Sequence, residues 1–283
     1  MYATRWAHFR RQLLSRFTVY ALLAAVALGL AAAVIWDNPL ALALVPAGAA
    51  LLLAGGSWLR AGEIAADEFF AGFAPTIGLD YVDGTYLDPI TPLLSAGETQ
   101  ECEHAMEGPL FGRLGGPRCT LTHFSFKVSH PGDQGGTRQV SHPFTVCSLE
   151  IPGALPLFKG VYLRRRPQIR IPGIWDDWLE RARAQEVDLE STDFEEAYQL
   201  KVARDQERLW LHELFSPSFI VWLAEHPLRP GFECKAGTLV VFVPGHEGDP
   251  DRLTLFHEAT REIARRVMAA VASPRAAAAP TAT

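Results

Sequence analysis

The chain has 283 residues, of which 48% are hydrophobic, and a net charge of −6 at pH 7. This mild acidity excludes the basic footprint that nucleic-acid binding requires, so no nucleic-acid partner is expected. The four cysteines are spaced widely and irregularly. That spacing gives no disulfide framework and is typical of reduced, buried thiols.

Two apolar runs near the start of the chain, Phe17–Trp36 and Pro39–Trp58, predict a transmembrane helical hairpin. Neither run contains a charge. Each run is long enough to cross a hydrocarbon layer of roughly 30 Å as a helix. Because the two runs also lack any ionisable residue that could line an ion or proton path, the hairpin is expected to be an anchor rather than a transporter or channel.

The charges around the hairpin predict its orientation, because Lys and Arg accumulate on the cytoplasmic side of membrane helices. The leader contains four arginines and no acid: Arg5, Arg10, Arg11 and Arg16. We therefore expect a two-pass protein of the cell inner (plasma) membrane with both termini in the cytoplasm. A cleaved signal peptide is the alternative, with Ala31–Ala33 as its cleavage site, but Pro39–Trp58 would still hold the C-terminal part inside.

The predicted organisation has five parts. Residues 1–16 are a cytoplasmic Arg-rich leader, 17–58 the hairpin, 59–75 a juxtamembrane helical stalk, 76–272 a cytoplasmic domain and 273–283 a disordered tail. The expected fold class is α+β, with the transmembrane hairpin followed by a soluble domain of antiparallel sheet and packed helices. The domain is either a single unit or two lobes, at about 76–184 and 185–272.

The first half of the domain contains one clear pattern. Residues 76–118 are rich in Gly, Pro and Asp and are expected to be mostly irregular, with short elements. Alternation predicts a half-buried strand at Cys119–Val128, and a second strand at Val140–Ile151 completes a hairpin with a long loop. Three further elements are expected: a strand at Leu157–Arg164, a helix at Ile174–Ala184 and a strand at Val187–Leu189.

The C-terminal half is more strongly patterned. Thr192 is expected to cap a helical turn reciprocally with Glu195, and Ser216 and Pro217 to begin another helix. The remaining predictions are a helix at Asp205–Leu214, a hairpin of Phe232–Lys235 and Thr238–Val243 across Ala236-Gly237, and a long amphipathic helix at Arg252–Val271.

Three short segments carry a resemblance to a family. They are Leu189–Phe194 (LESTDF), Ser216–Phe219 (SPSF), and Phe232-Glu233 together with Gly237–Val241 (GTLVV). With the hairpin, they resemble an uncharacterised bacterial domain-of-unknown-function family of membrane proteins. The resemblance implies an N-terminal two-helix anchor and a cytoplasmic α+β domain, and no catalytic residue is carried over from it.

Two sets of residues have the composition of a metal site. The first contains zinc-ligand types: Cys102, His104, Cys119 and His123. On a strand, Cys119 and His123 would lie about 13 Å apart at roughly 3.3 Å per residue, which disfavours a shared metal. The second, His257-Glu258, begins a zinc-protease signature in which Arg261 replaces the second His. Neither a metal nor a cofactor is predicted.

A glycine-rich stretch and a basic cluster offer anion sites. The stretch contains Gly108, Gly112, Gly115 and Gly116 with Arg113 and Arg118, but lacks the Lys-Ser/Thr of a phosphate loop.

The basic cluster comprises Arg164, Arg165, Arg166 and Arg170. Such runs usually face water, but near an anionic membrane each Arg adds about 1 kcal/mol of attraction, so this cluster is the candidate membrane-surface contact.

Two functional classes follow from these features. The preferred class is a membrane-tethered interaction or scaffold domain without chemistry of its own, whose partners are the lipid bilayer and another membrane or cytoplasmic protein. The alternative is a membrane-associated enzyme or small-ligand domain that uses His104, His123, Asp80 and Asp83. Convergence of these side chains in one concave pocket would favour the enzyme, and scattered exposure would favour the scaffold.

Overall fold

The computed structural model describes residues 6, 8–10, 16–35, 40–112, 115–131, 137–166, 184–189 and 191–273. The chain forms two compact units, Met1–Gly72 and Phe73–Thr283. Several predicted features lie outside the described residues, among them the turn between the two apolar runs, residues 132–136 of the long hairpin loop, residues 174–183 of a predicted helix, and the tail from residue 274.

The first unit contains two helices, α1 (Arg16–Ile35) and α2 (Leu40–Phe73). Among the described residues, one helical stretch of 34 residues, Leu44–Ile77, is long and apolar enough to cross a membrane, with a mean hydropathy of 1.3. The first span of the hairpin, Phe17–Trp36, stays a prediction. α2 continues without a break through most of the predicted stalk and gives way to a 3₁₀ turn (Ala74–Ile77), where Pro75 has no N–H to donate.

The second unit is built on an antiparallel sheet with nine strands among the described residues. The strands are β1 (Asp80–Val82), β2 (Thr99–Pro109), β3 (Arg118–Pro131), β4 (Thr137–Glu150), β5 (Val161–Arg165), β6 (Ala184–Glu186), β7 (Tyr198–Ala203), β8 (Gly231–Lys235) and β9 (Thr238–Pro244). Their order across the sheet is β1-β2-β3-β4-β9-β8-β5-β7-β6. β8 and β9 lie between β4 and β5, so the strands of the two possible lobes interleave. The predicted α+β class is confirmed.

One face of this sheet, the helical face, packs against helices. These are α3 (Thr192–Ala197), α4 (Arg208–Leu214), α5 (Pro217–Glu225) and α6 (Pro250–Val271). Directly opposed residues of antiparallel strands share a face, and both Phe232 and Cys147 lie opposite Val241. Phe232 stacks on Phe215 with 6.0 Å between ring centroids, and Cys147 is hydrogen-bonded to Thr260 of α6.

The opposite face, the loop face, is covered by the irregular segment 87–96. The core on this side consists of Leu87, Leu93, Leu94, Ala96, Phe124, Phe126, Phe144, Val146, Val240 and Phe242. Phe126 and Phe144 stack with 5.9 Å between ring centroids. Burying aromatic side chains of this size stabilises the cover by about 25 cal/mol per Å² of apolar surface removed from water.

The strongest sequence patterns are confirmed. β3 and β4 pair continuously as a hairpin, and α5 begins with Ser216 as N-cap and Pro217 in its first turn. The β8–β9 turn has φ of 52° at Ala236 and 80° at Gly237. Two successive positive values are typical of a type I′ turn, whose twist matches that of the flanking strands. The predicted C-terminal helix is α6, which starts two residues earlier, at Pro250.

The weaker sequence patterns predicted strands and helices with the wrong boundaries. Residues 76–118 contain β1 and the long β2, whose first half is mostly exposed and therefore shows no apolar alternation. The strand expected at Val187–Leu189 lies three residues earlier as β6, and the helix expected from Asp205 begins at Arg208. The strand expected at Leu157–Arg164 begins only at Val161.

The predicted reciprocal cap of Thr192 with Glu195 is also wrong. Ser191, which has an extended backbone, is the N-cap of α3, and Glu195 N donates to the Ser191 carbonyl at 2.9 Å. Thr192 is already the first helical residue, so its hydroxyl is past the capping position.

Candidate interaction groove and neighbouring polar clusters

A surface groove of about 420 Å³ lies between α3 and α5. Its lining residues are Ser191, Asp193, Glu196, Ala197, Val221, Ala224, Glu225 and Arg229. The apolar side chains form a strip that includes Val221, which is 53% exposed. Three carboxylates and one guanidinium flank this strip, giving the lining a formal charge of −2. We call this site the α3–α5 groove.

Tyr198, at the start of β7, fixes the two helices that form the groove. Its ring stacks on Phe194 of α3 with 5.3 Å between centroids, and its hydroxyl donates to the Leu223 carbonyl of α5 at 3.3 Å. Burial raises the pKa of Tyr198, so the hydroxyl keeps the proton that it donates. One buried side chain thus holds both helices, and the α3–α5 groove is formed without a partner.

Three histidines converge on the helical face beside the loop 245–249, and we call them the histidine cluster: His104, His123 and His246. The ring centroids of His104 and His123 are 5.7 Å apart, and His246 stacks on His123 at 4.5 Å. His104 lies at a bulge of β2 between Glu103 and Met106 and has φ of 52°. The bulge re-aims its side chain toward the neighbouring strand.

Hydrogen bonds between the histidine cluster and the backbone attach the loop 245–249 to the sheet. His123 Nε2 lies 2.8 Å from the Glu247 carbonyl, and His246 Nε2 lies 3.3 Å from the Phe124 carbonyl. Each Nε2–H is therefore assigned as a donor. The Thr145 hydroxyl donates to the Gly245 carbonyl at 2.9 Å and accepts from Glu247 N at 2.8 Å.

The histidine cluster is arranged for neutral rings rather than for a metal. Burial lowers the pKa of His123 to about 4, with further lowering by His246 and His104, against the opposing effect of the Glu247 carbonyl. The rings of His123 and His246 lie only 8° from parallel, so their lone pairs do not converge on a point. Among the described residues, no group of three His, Cys, Asp or Glu could hold a metal ion.

The other members of the sequence-based site sets are separated. Cys102 packs with the loop-face core, whereas His123 lies on the helical face of the sheet. Cys119 is a buried thiol hydrogen-bonded to Cys147. The two histidines of the enzymatic alternative converge, while Asp80 and Asp83 lie exposed at the two ends of β1.

The zinc-protease fragment in α6 has its two residues in different surroundings. His257 is 4% exposed, and burial lowers its pKa to about 4, with a further contribution from Arg261. Glu258 is exposed. The two side chains therefore do not form one site.

A buried ion pair lies beneath the segment 87–96 on the loop face. Glu233 is fully buried; its Oε2 accepts from Leu93 N at 2.7 Å, and its Oε1 lies 3.4 Å from Arg164 Nη2. Burial raises the pKa of Glu233, while Arg164 and hydrogen bonds from Leu93 and Thr91 lower it. Tyr162 lies directly opposite Glu233, and burial, with the nearby Glu233 charge, raises the pKa of its hydroxyl to about 12. This cluster holds the covering segment on the sheet.

The predicted membrane-contact arginines lie in different surroundings. Arg164 is 9% exposed and belongs to the buried ion pair just described. Arg165 is exposed at the end of β5. Arg166 Nη2 lies 3.2 Å from Glu186 Oε1, and Arg170 is outside the described residues. Membrane contact by this cluster stays a prediction.

The α3–α5 groove, His246 and Glu233 were not identified from the sequence. A signal for Glu233 was present, because a single acid between Phe232 and Cys234 in a strand otherwise built of buried residues indicates a buried, partnered carboxylate. The α3–α5 groove left no signal, since it depends on the placement of two short helices relative to each other.

Comparisons with known proteins identify no family for this chain. No protein-family model matches the chain, and no curated protein matches it. Among solved structures, the chain is similar to the crystal structure of the mycobacterial trehalose monomycolate transport factor A, TtfA, with a TM-score of 0.43 and 11% identity over 71% of this chain and 95% of that chain. At this level the likeness carries no argument about function.

Proposed function

We propose that this chain is a membrane-tethered interaction module, in which α1 and α2 form a two-helix anchor and the unit Phe73–Thr283 recruits a protein partner in the cytoplasm. The exposed leucines of α2 support the anchor: Leu44, Leu51, Leu52 and Leu59 are 67%, 75%, 80% and 67% exposed. So many exposed leucines on one helix are expected to be covered by lipid.

Aromatic residues support a membrane interface at the predicted cytoplasmic end of the anchor. The Trp58 ring lies 5.1 Å from Trp6 and 5.2 Å from Phe9, measured between centroids. Tryptophan concentrates at the boundary between lipid and water. The leader arginines at the same end favour a cytoplasmic location for both termini.

The α3–α5 groove is the observation that carries the interaction function. Its occupant in this proposal is a basic, amphipathic segment of a partner protein. An apolar side chain of that segment would cover Val221, and its Lys or Arg residues would pair with Asp193, Glu196 and Glu225. Charge complementarity of this kind speeds association and selects basic over acidic partners.

A peptide titration tests the occupant. The full chain in detergent is titrated with a fluorescent helical peptide of Lys and Leu, and with its Glu and Leu counterpart. The Lys peptide should bind, and the variant Asp193→Asn, Glu196→Gln, Glu225→Gln should bind it about tenfold more weakly, because three rim pairs contribute about 0.5 kcal/mol each. Val221→Glu should weaken binding further.

The control removes the same charge elsewhere on the unit, in the variant Asp80→Asn, Asp83→Asn, Glu258→Gln. It should bind the Lys peptide as the wild type does. Equal weakening by both triple variants would show that only net charge matters and would reject the groove. A photo-crosslinking residue in native membranes gives a second check: position 221 should form an adduct, and the exposed position 218 on the same helix should not.

Topology is tested by a reporter fused after Thr283. A fluorescent protein that folds only in the cytoplasm should be active there, and alkaline phosphatase, which needs the extracytoplasmic side, should be inactive. The reverse pattern would overturn the proposed orientation without bearing on the groove.

An enzyme or small-ligand domain is the second candidate, and the convergence of the histidine cluster favours it. His246 is exposed, so a ligand could reach the cluster from solvent. The test follows the imidazole proton resonances of the chain while a small-molecule extract of cells is added. Shifts of the His104 and His246 resonances would support this candidate, and unchanged resonances would eliminate it.

A further inference from the structure

The side chain of Phe111, in the turn between β2 and β3, is flanked by two arginines of α6. The guanidinium carbons of Arg261 and Arg265 lie 5.6 Å and 5.4 Å from the centroid of the Phe111 ring. Gly116 allows this arrangement, because a Cβ there would lie only 2.5 Å from Phe111 Cδ2. The glycine in the turn thus allows the Phe111 ring to lie next to two cations.

One more arginine extends this site, which we call the α6 arginine patch: Arg261 and Arg265 beside Phe111, and Arg266. Arg266 follows Arg265 on α6 and lies over the Phe219 ring at 5.6 Å. Glu262 pairs with both Arg265 and Arg266, at 3.0 Å and 2.9 Å. Three guanidiniums against one carboxylate give the patch a formal charge of +2.

A guanidinium that lies over a ring can still donate hydrogen bonds. Arginine guanidiniums form bidentate hydrogen bonds with phosphate groups. The Arg265 side chain is 51% exposed, whereas among the described residues Arg261 Nε is buried without a hydrogen-bond partner. Arg265 is therefore the guanidinium of the patch that a phosphate can reach from solvent.

We propose that the α6 arginine patch binds the phosphate headgroups of an anionic membrane surface and so orients the domain on the bilayer. This inference rests on the proposed membrane tether, which brings the domain to a lipid surface. It differs from the sequence-based hypothesis in its residues. In the Arg164–Arg166 run, Arg164 is buried in its pair with Glu233, whereas the Arg265 side chain of the α6 arginine patch is 51% exposed.

The test follows the reactivity of single arginines in the full chain. The chain is placed in lipid nanodiscs of phosphatidylcholine alone or of an equal mixture with phosphatidylglycerol, and phenylglyoxal modification of each arginine is followed by mass spectrometry. Modification of Arg265 should slow about fivefold in the anionic discs, and added salt should restore the rate, because the attraction is electrostatic.

Arg252 is the matched control, since it is on the same helix and is 56% exposed, but pairs with Glu247 away from the patch. Its rate should be the same in both kinds of disc. In the variant Arg261→Gln, Arg265→Gln, the protection of Arg266 should disappear, while circular dichroism confirms that α6 is intact.

Equal Arg265 rates in the two kinds of disc, or equal slowing of Arg252, would overturn headgroup binding by the patch. If the modification of Arg265 slows only after an acidic protein is added, the patch binds a protein partner. That result would also overturn headgroup binding. Failure of the chain to co-purify with discs of either composition would instead reject the membrane tether, so the two proposals fail in different measurements.

Discussion

The histidine cluster and the Glu233–Arg164 pair both attach an irregular segment to the sheet, but by opposite electrostatic means. Glu233 lies in β8, in the middle of the strand order, and holds the segment 87–96 with a charge-assisted hydrogen bond. His123 holds the loop 245–249 through a ring whose pKa is lowered to about 4 and which is therefore neutral at pH 7.

The difference shows how each attachment can fail. A buried ion pair that loses one partner leaves an uncompensated charge, which costs much more than the pair contributes. A buried neutral imidazole fails when it gains a proton, because the charge is then desolvated. We therefore expect the Glu233 region to be sensitive to substitution and the histidine cluster to acid.

The largest expected effect is that of Glu233→Ala. Removing the carboxylate leaves Arg164 charged in a site where it is 9% exposed. The free energy of unfolding of the detergent-solubilised chain in urea should fall by about 3–5 kcal/mol. Hydrogen exchange of Leu93 and its neighbours should speed up at the same time.

Glu262→Ala is the control for this prediction, because Glu262 is 26% exposed and pairs with two surface arginines. It should cost less than about 1 kcal/mol. A Glu233→Ala variant as stable as Glu262→Ala would show that the buried pair does not hold the segment 87–96.

Acid should act on the histidine cluster through His123. With a folded pKa of about 4 and an unfolded value of 6.5, His123 binds its proton more readily in the unfolded chain. Stability is therefore constant above pH 6.5 and falls as the pH drops toward 4, by about 3 kcal/mol for this residue. The groups that face the His123 ring are His104, His246 and the backbone of Glu247.

The contribution of His123 can be isolated by comparing variants, because the pKa of His257 is also lowered to about 4. His123→Gln should remove about 3 kcal/mol of the loss between pH 6.5 and 4 that unfolding curves of the wild type show, and His257→Gln a similar amount. His142 and His226, whose pKa values burial also lowers, should account for a further part of the loss. A His123→Gln variant with the full wild-type slope would mean that His123 is not neutral in the fold.

Local signals in the sequence predicted a large part of this fold. The β3–β4 hairpin, the turn at Ala236-Gly237, the start of α5 at Ser216 and the stripe of α6 depend on residues close together in the chain, and all were predicted correctly. β2 was missed, since Glu101 and Glu103 face solvent and its bulge at His104 interrupts the alternation.

The sites were harder to predict, because each depends on contacts between residues far apart in sequence. His123 meets Glu247 across 124 positions, and Glu233 meets Leu93 across 140. The sequence did not show which arginines of the Arg164–Arg166 run are buried and which are exposed. Their exposure depends on the face of β5 that each side chain occupies.

Thr145→Val tests how the loop 245–249 is attached beside the histidine cluster, because it removes two hydrogen bonds to the loop without changing a charge. Thr145 is fully buried, and the change leaves Gly245 O and Glu247 N without this partner. Unfolding in urea should show a loss of about 2 kcal/mol. Thr254→Val, at an exposed hydroxyl that bonds the Pro250 carbonyl, should change stability by less than about 0.5 kcal/mol. Equal effects of the two variants would mean that the histidine rings alone hold the loop.

The smallest expected effect concerns the helix that this loop leads into. The Asp249 carboxylate accepts from Asp251 N and Arg252 N at 3.0 Å and 3.1 Å, so Asp249→Ala should cost about 1 kcal/mol. Ser216 occupies the same position on α5 without a side-chain capping bond, and Ser216→Ala should therefore be close to neutral. If Asp249→Ala also reduces the fall in unfolding free energy below pH 6.5, the cap and the histidine cluster act as one unit. An unchanged pH profile would mean that the loop is held by His123 and Thr145 independently of the helix start.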